Sequence, residues 1–237
     1  MGNFFQMMGF GPLGWGYAML SAAGTTIGLA FCGFFLGTVI GSVGAWAKIR
    51  GGLVLRLLAA GYTTILRAIP DLLVIYLFYF GAGVVLTPLA QMMGAHGFTS
   101  IPGFVAGFIA IGVTSGAYQT EVFRGGFRAV APGEIEAATA SGMSPLLKFR
   151  RIVAPLTLRH ALPALGNVWQ QVLKETALVS VTGAVELVRE AQVGAGSTSQ
   201  PFTFYGGAAC LYLVIALVTA ALLRRAELWF NRGLRRA

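Results

Sequence analysis

The stretch Tyr17–Trp46, YAMLSAAGTTIGLAFCGFFLGTVIGSVGAW, decides the fold. It runs for 30 residues without a charged side chain, and a helix of about 20 apolar residues already crosses a ~30 Å hydrocarbon core. The charge-free region is wider still, from Met1 to Ala47. A secretory signal would open with a basic segment followed by a short apolar core. This beginning has neither, so the stretch is expected to stay in the mature protein. Glycines recur at positions 24, 28, 33, 37 and 41, and the last three make two overlapping G-x-x-x-G steps. That spacing suits close helix contact in lipid, and plain helix packing is the expected use.

The whole chain shares this character. Its 237 residues are 56% hydrophobic and 11% charged, against roughly 25% charged in an average soluble domain. Such sparse charge cannot cover the surface of a soluble protein this size, and the mean hydropathy of +0.74 agrees. A soluble enzyme is excluded. The formal net charge of +9 does not signal nucleic-acid binding. A phosphate-binding patch must face water on one surface, and here the basic residues punctuate apolar stretches. Cys32 and Cys210 lie inside apolar runs and make neither a disulfide framework nor a metal site.

About five transmembrane helices follow, making an all-α integral membrane protein with a single transmembrane domain over residues 1–237. The expected spans are about 17–46, 57–85, 101–120, 165–185 and 206–223. The break at about 124–164 holds much of the charge and four prolines, 132, 145, 155 and 163, which divide it into short pieces. Fourteen basic residues fall on one side of this arrangement: three after the first span, six in the long loop and five in the tail ending Arg232, Arg235 and Arg236. Arg189 alone falls on the other side, with Arg67 and Lys174 inside spans. The positive-inside rule then puts the N-terminus outside and both the long loop and the C-terminus in the cytoplasm.

Within the long loop, Pro132 opens a short helix and Gly142 ends it as a C-cap residue. Glu134 and Glu136 sit in its first turn, where the helix dipole favours carboxylates. Ala137 and Ala138 give it a small, flat face. Two readings fit: a docking element for another protein, or a plain connecting helix.

Glu136-Ala137-Ala138, then Gly142, Ile152 and Pro155 at their spacing, resemble the EAA loop of ABC-importer permeases. The family pattern has Leu-Pro where this chain has Ala154-Pro155, a departure at the leucine. Three more segments resemble the polar amino-acid branch (histidine, arginine/ornithine and opine uptake) of these type I permeases: Arg67–Leu73, Glu121–Phe127 and Leu173–Ser180. The resemblance spans roughly residues 17–230. It implies a permease subunit of an ATP-driven importer in the bacterial cytoplasmic (inner) membrane, taking up a polar or cationic amino acid or an opine. The EAA loop would be a coupling helix seated on a cytoplasmic ABC ATPase dimer. The other implied partners are a second permease subunit, related or identical, and an extracytoplasmic solute-binding protein. No Gly-Lys pair occurs in the chain, so it lacks the G-x-x-x-x-G-K-[ST] phosphate loop. It is therefore expected to be a transporter subunit and no enzyme, with no cofactor of its own and with ATP and Mg on the partner ATPase. The rival reading is a secondary transporter driven by protons or sodium, with Asp71, Glu121 or Glu175 as the carrier.

Charges inside spans cost about 2.5–3.5 kcal/mol each at a helix centre and call for partners. Arg67 and Asp71, four apart, can pair on one helix face, or Asp71 can meet a substrate ammonium or guanidinium. Glu121 and Arg124, three apart, can form a border ion pair or take part in gating. Lys174 and Glu175 are adjacent, so they point about 100° apart. At least one must face another helix, a second subunit or a water-filled path, with Thr176 and Ser180 adding polar lining. His96 and His160 are isolated and have no metal-ligand spacing, so no metal site is expected.

Overall fold

The computed structural model describes residues 7–11, 14–93, 97 and 99–230, residue 89 by its backbone alone. His96 and the tail arginines 232, 235 and 236 lie outside the described residues. Among the described residues there are helices and turns but no strand. In chain order the elements are α1 (Gly16–Arg50), α2 (Leu53–Ala68), α3 (Asp71–Met92), α4 (Gly103–Arg128), α5 (Pro132–Ala140) and α6 (Pro145–Lys148). A π-helical turn (Phe149–Val153) leads into α7 (Ala154–Glu175), a 3-10 turn (Thr176–Thr182), α8 (Leu187–Thr198) and α9 (Pro201–Phe230).

The central packing is α1 against α4, and it is a seam of small residues. A Cβ added to Gly33 would lie 2.6 Å from Ile111 Cγ2, and one added to Gly41 would lie 2.7 Å from Gln119 Cβ. A Cβ on Gly37 would run into Ser115 and one on Gly44 into Thr120, while Gly112 and Gly116 of α4 receive Leu36 and Ile40. The G-x-x-x-G steps therefore serve packing within the chain. In lipid, where apolar tails compete with apolar side chains, such close approach and interhelical hydrogen bonds supply the association energy. Both are present. Gln119 is fully buried, accepts from the Thr38 hydroxyl at 2.8 Å and donates to the Phe34 carbonyl at 3.1 Å. The Tyr62 hydroxyl donates to the Val113 carbonyl at 2.6 Å, fastening α2 to α4.

Three helices, α1, α3 and α9, are long and apolar enough to cross a membrane by length and composition. The expected boundaries shift in three places. The stretch 57–85 is two helices rather than one: α2 ends at Ala68, Ile69 and Pro70 are extended (ψ 137° and 132°), and α3 starts at Asp71. Pro70 disfavours helix in the residue before it and so breaks the run instead of bending it. Much of the expected loop 124–164 is helical: α5, then a run from Pro145 through the π-helical turn into α7 that carries Pro155. Pro163 is carried inside that helix. Beyond the expected fourth span, Glu186 caps a further helix, α8, through Val188 and Arg189.

Candidate functional site

The break at Pro70 brings the start of α3 beside the end of α7. There Asp71, Asn167, Gln170, Gln171, Lys174 and Glu175 line an open cavity of about 420 Å³, a size that holds a small ligand. Glu175 is 5% exposed. Its Oε1 accepts from Gln171 Nε2 at 2.8 Å, whereas its Oε2 and Asp71 Oδ1 are buried with no hydrogen-bond donor. Both carboxyl groups line this one cavity. Two buried acceptor oxygens without donors at one cavity call for a proton or a cationic group there.

This geometry corrects the expected Arg67–Asp71 pairing. Those residues sit on opposite sides of the Pro70 break, so they share no helix face. Arg67 instead lies over the ring of Tyr118, 5.4 Å from its centroid. Lys174 and Glu175 both reach the same cavity. Thr176 and Ser180 do not line it. Both are buried, and Thr176 bonds inward to the Leu173 carbonyl at 2.7 Å and to the Tyr212 hydroxyl at 3.1 Å.

Glu121 belongs to a second cavity of about 610 Å³, lined by Lys48, Thr63, Thr64, Arg67, Tyr118 and Glu121. Lys48 Nζ donates to Glu121 Oε1 at 2.5 Å and to Thr63 Oγ1 at 2.6 Å, while Arg124 Nε donates to Glu121 Oε2 at 2.8 Å. The border ion pair with Arg124 is present, and Lys48 and Thr63 extend it into a four-residue cluster joining α1, α2 and α4. Lys48 is 73 residues from Glu121, so no local pattern could have revealed it. The only available signal was a lone carboxylate needing more than one donor.

The loop helix α5 ends as expected at Gly142. Gly142 has φ of +73°, its N–H donates to the Thr139 carbonyl at 3.0 Å, and the Met143 N–H donates to the Ala138 carbonyl at 3.2 Å. These two bonds make a Schellman end. Lys148 Nζ reaches back to Thr139 Oγ1 at 2.8 Å, fastening the next turn to α5. Glu136, Ala137 and Gly142 are exposed, and Pro155 is exposed at the start of α7. Ile152 is partly covered in the π-helical turn. Ala138 departs from the expected outward face: it is 4% exposed. Successive helix residues point about 100° apart, so a short helix leaning on its neighbours presents Ala137 outward and buries Ala138. Missed by sequence reasoning were Leu146 and Phe149, which stand on the same loop 77% and 57% exposed.

A bundle of apolar helices seamed by glycine, with a polar cavity set at a helix break and a basic-flanked surface loop, defines a helical membrane transport domain. The chain belongs to the family of binding-protein-dependent transport system inner membrane components, whose model matches residues 33–236. It is a permease subunit. It is 56% identical over 234 residues to the octopine transport system permease protein OccQ of Rhizobium radiobacter, covering 99% of each chain. It is 46% identical to the nopaline transport system permease protein NocQ of Agrobacterium fabrum, covering 97% of this chain and 98% of that one. It is 40% identical to the histidine/lysine/arginine/ornithine transport system permease protein HisQ of Escherichia coli, covering 94% and 98%. Among solved structures, an amino acid ABC transporter with histidines matches with a TM-score of 0.75 at 32% identity, covering 90% of this chain and 94% of that one. An inward-facing MetNI methionine ABC transporter shares the fold, with a TM-score of 0.73 at 18% identity over 91% and 97% of the two chains. Membership favours binding-protein-dependent transport over the ion-gradient reading.

Proposed function

We propose that this chain carries a cationic amino acid or an opine across the bacterial inner membrane as the permease of an ATP-driven importer. One observation carries the substrate reading: Asp71 and Glu175 present two buried acceptor oxygens with no donor at the cavity wall. A guanidinium or ammonium group supplies the missing donors and the balancing charge. Relatives are named for octopine, nopaline and histidine/lysine/arginine/ornithine transport, and lysine, arginine and ornithine carry a cationic side-chain group at neutral pH. Lys174 lies on the same wall and suits a substrate carboxylate.

The membrane passes are α1, α2 with α3, α4, α7 and α9, with the N-terminus outside. α5 and the turns after it face the cytoplasm, and α8 faces outward. α5 is the coupling helix, with Glu136, Ala137, Gly142, Ile152 and Pro155 at or near its docking surface on the ATPase dimer, where ATP and Mg bind. A solute-binding protein delivers ligand outside, and a second permease subunit completes the path. Delivery of ligand and binding of ATP favour different openings of the bundle, which is what coupling requires.

The test is uptake of L-arginine and octopine into vesicles with trapped ATP and no ion gradient, in the presence of the cognate binding protein. Uptake is expected, and Asp71→Asn and Glu175→Gln are each expected to lower it at least tenfold. Uptake that needs an ion gradient, or that ignores both substitutions, overturns the reading.

A further inference from the structure

The most deeply buried carboxylate of the described residues outside the cavity is Glu186, at 0% exposure. Its Oε1 accepts from the Arg189 N–H at 2.7 Å, and its Oε2 accepts from the Val188 N–H at 2.9 Å and from the Tyr212 hydroxyl at 3.2 Å. The first two bonds cap α8, and Thr26 of α1 takes the Leu187 N–H at 3.1 Å. Capping needs no more than these, and a shorter Ser or Asp supplies an equivalent acceptor. The bond to Tyr212 is left over from that role.

Tyr212 carries it onward. With its one proton on Glu186, the Tyr212 oxygen accepts from Thr176 Oγ1 at 3.1 Å, the Thr176 proton being shared with the Leu173 carbonyl, and Thr176 is the first residue of the 3-10 turn, directly after Glu175. A continuous polar chain thus runs from the cap of α8, through α9, to the residue beside the cavity carboxylate. Its links are 26 and 36 residues apart in sequence, so they fix three separate elements relative to one another. Glu175 itself is held by a single protein donor, Gln171. Where its unpaired oxygen points is then set by the backbone at 175–176, the junction that Tyr212 pins.

We propose that Tyr212, anchored by Glu186, is a positioning residue that acts through Thr176 to aim the Glu175 carboxylate into the cavity and so sets discrimination for a cationic side chain. This rests on the cavity reading above. The chain starts at the cap of α8, on the face that reading turns toward the binding protein, so contact there and carboxylate aim share one set of bonds.

The experiment measures binding of radiolabelled L-arginine and of citrulline to the purified permease–ATPase complex. Citrulline keeps arginine's shape with an uncharged urea in place of the guanidinium. Tyr212→Phe keeps the ring, removes the hydroxyl and with it the bonds to both Glu186 and Thr176; it is expected to lower the arginine-over-citrulline preference at least about fivefold, the effect of the lost link to Thr176. A merely structural role weakens both ligands alike and leaves the ratio unchanged, which overturns the proposal. Thr176→Val breaks the same link from the other end. Both variants break the Tyr212–Thr176 link, so in the double variant the ratio is expected to fall no further than in Tyr212→Phe alone; additive losses in the ratio count against a shared chain. Glu175→Gln is the control. If it lowers the ratio and Tyr212→Phe does not, positioning fails and the cavity reading stands. If Glu175→Gln leaves the ratio unchanged, or the unsubstituted complex binds arginine no better than citrulline, the cavity reading fails and the proposal with it.

Discussion

Gly142 offers a test in which backbone conformation and surface shape make opposite forecasts. Its φ is +73°, and a Cβ added there meets nothing within 4 Å. A side chain at this position is therefore free of clashes, and the whole effect of substitution is conformational. A non-glycine residue in the left-handed region costs of order 1–2 kcal/mol, a β-branched one more, and asparagine the least. That energy falls on the Schellman end formed by the Gly142 and Met143 N–H groups, so the population of helices ending correctly should drop by about 5- to 30-fold for a loss of one or two kcal/mol. The expected order of coupled transport is Gly142 ≥ Gly142→Asn > Gly142→Ala > Gly142→Val. The assay is arginine-stimulated ATP hydrolysis by the full importer in liposomes with its binding protein, normalised to the amount of inserted permease. Asparagine is larger than alanine, so a docking surface intolerant of bulk reverses the middle of the order. Gly142→Asn as damaging as Gly142→Val would refute the conformational argument, and four equal activities would remove the loop end from coupling altogether.

Other consequences are open to direct measurement. Gly33→Val forces a side chain into Ile111 and is expected to destabilise the inserted protein by about 1–3 kcal/mol, read as a lower melting midpoint in detergent, with partial recovery in Gly33→Val/Ile111→Ala. Tyr62→Phe deletes the bond to the Val113 carbonyl and is expected to lower stability by about 1 kcal/mol, seen in the same melting assay without altered substrate preference. Glu121→Gln leaves Lys48 and Arg124 without their shared carboxylate, and is expected to loosen the ends of α1 and α4 near these residues. Faster proteolysis near Lys48 and Arg124 reports it, and an unchanged cleavage pattern counts against the cluster as a clasp.

Much of this architecture is legible in the amino-acid sequence because lipid imposes a coarse and demanding pattern. Absence of charge marks the long helices, and Gly33, Gly37 and Gly41 declare close packing even though their partners on α4 stay hidden. Gly142 announces a helix end because few other residues take that conformation easily. What escapes is whatever depends on contacts distant in the chain. Arg67 and Asp71 read as a helical pair until Pro70 separates them, and a proline inside an apolar run has two outcomes, a bend or a break, that local sequence does not separate. Ala137 and Ala138 are interchangeable in composition, yet packing against neighbouring turns buries just one of them. Glu186 follows an apolar span and reads as the start of a surface loop, when its three donors come from α8 and α9.

α4 has a mechanical consequence. It is one unbroken helix from Gly103 to Arg128, separated from α5 by three residues. Gly107, toward its opposite end, is packed against Val179 of the 3-10 turn that follows Glu175. A rod of 26 residues is about 39 Å long at 1.5 Å per residue, so each degree of tilt imposed at the Arg128 end displaces the other end by roughly 0.7 Å. A rotation too slight to disturb the glycine seam is then enough to shift the Val179 contact by more than a hydrogen-bond's tolerance. The Glu175 carboxylate, about one turn away, would change its aim without any helix having to unwind.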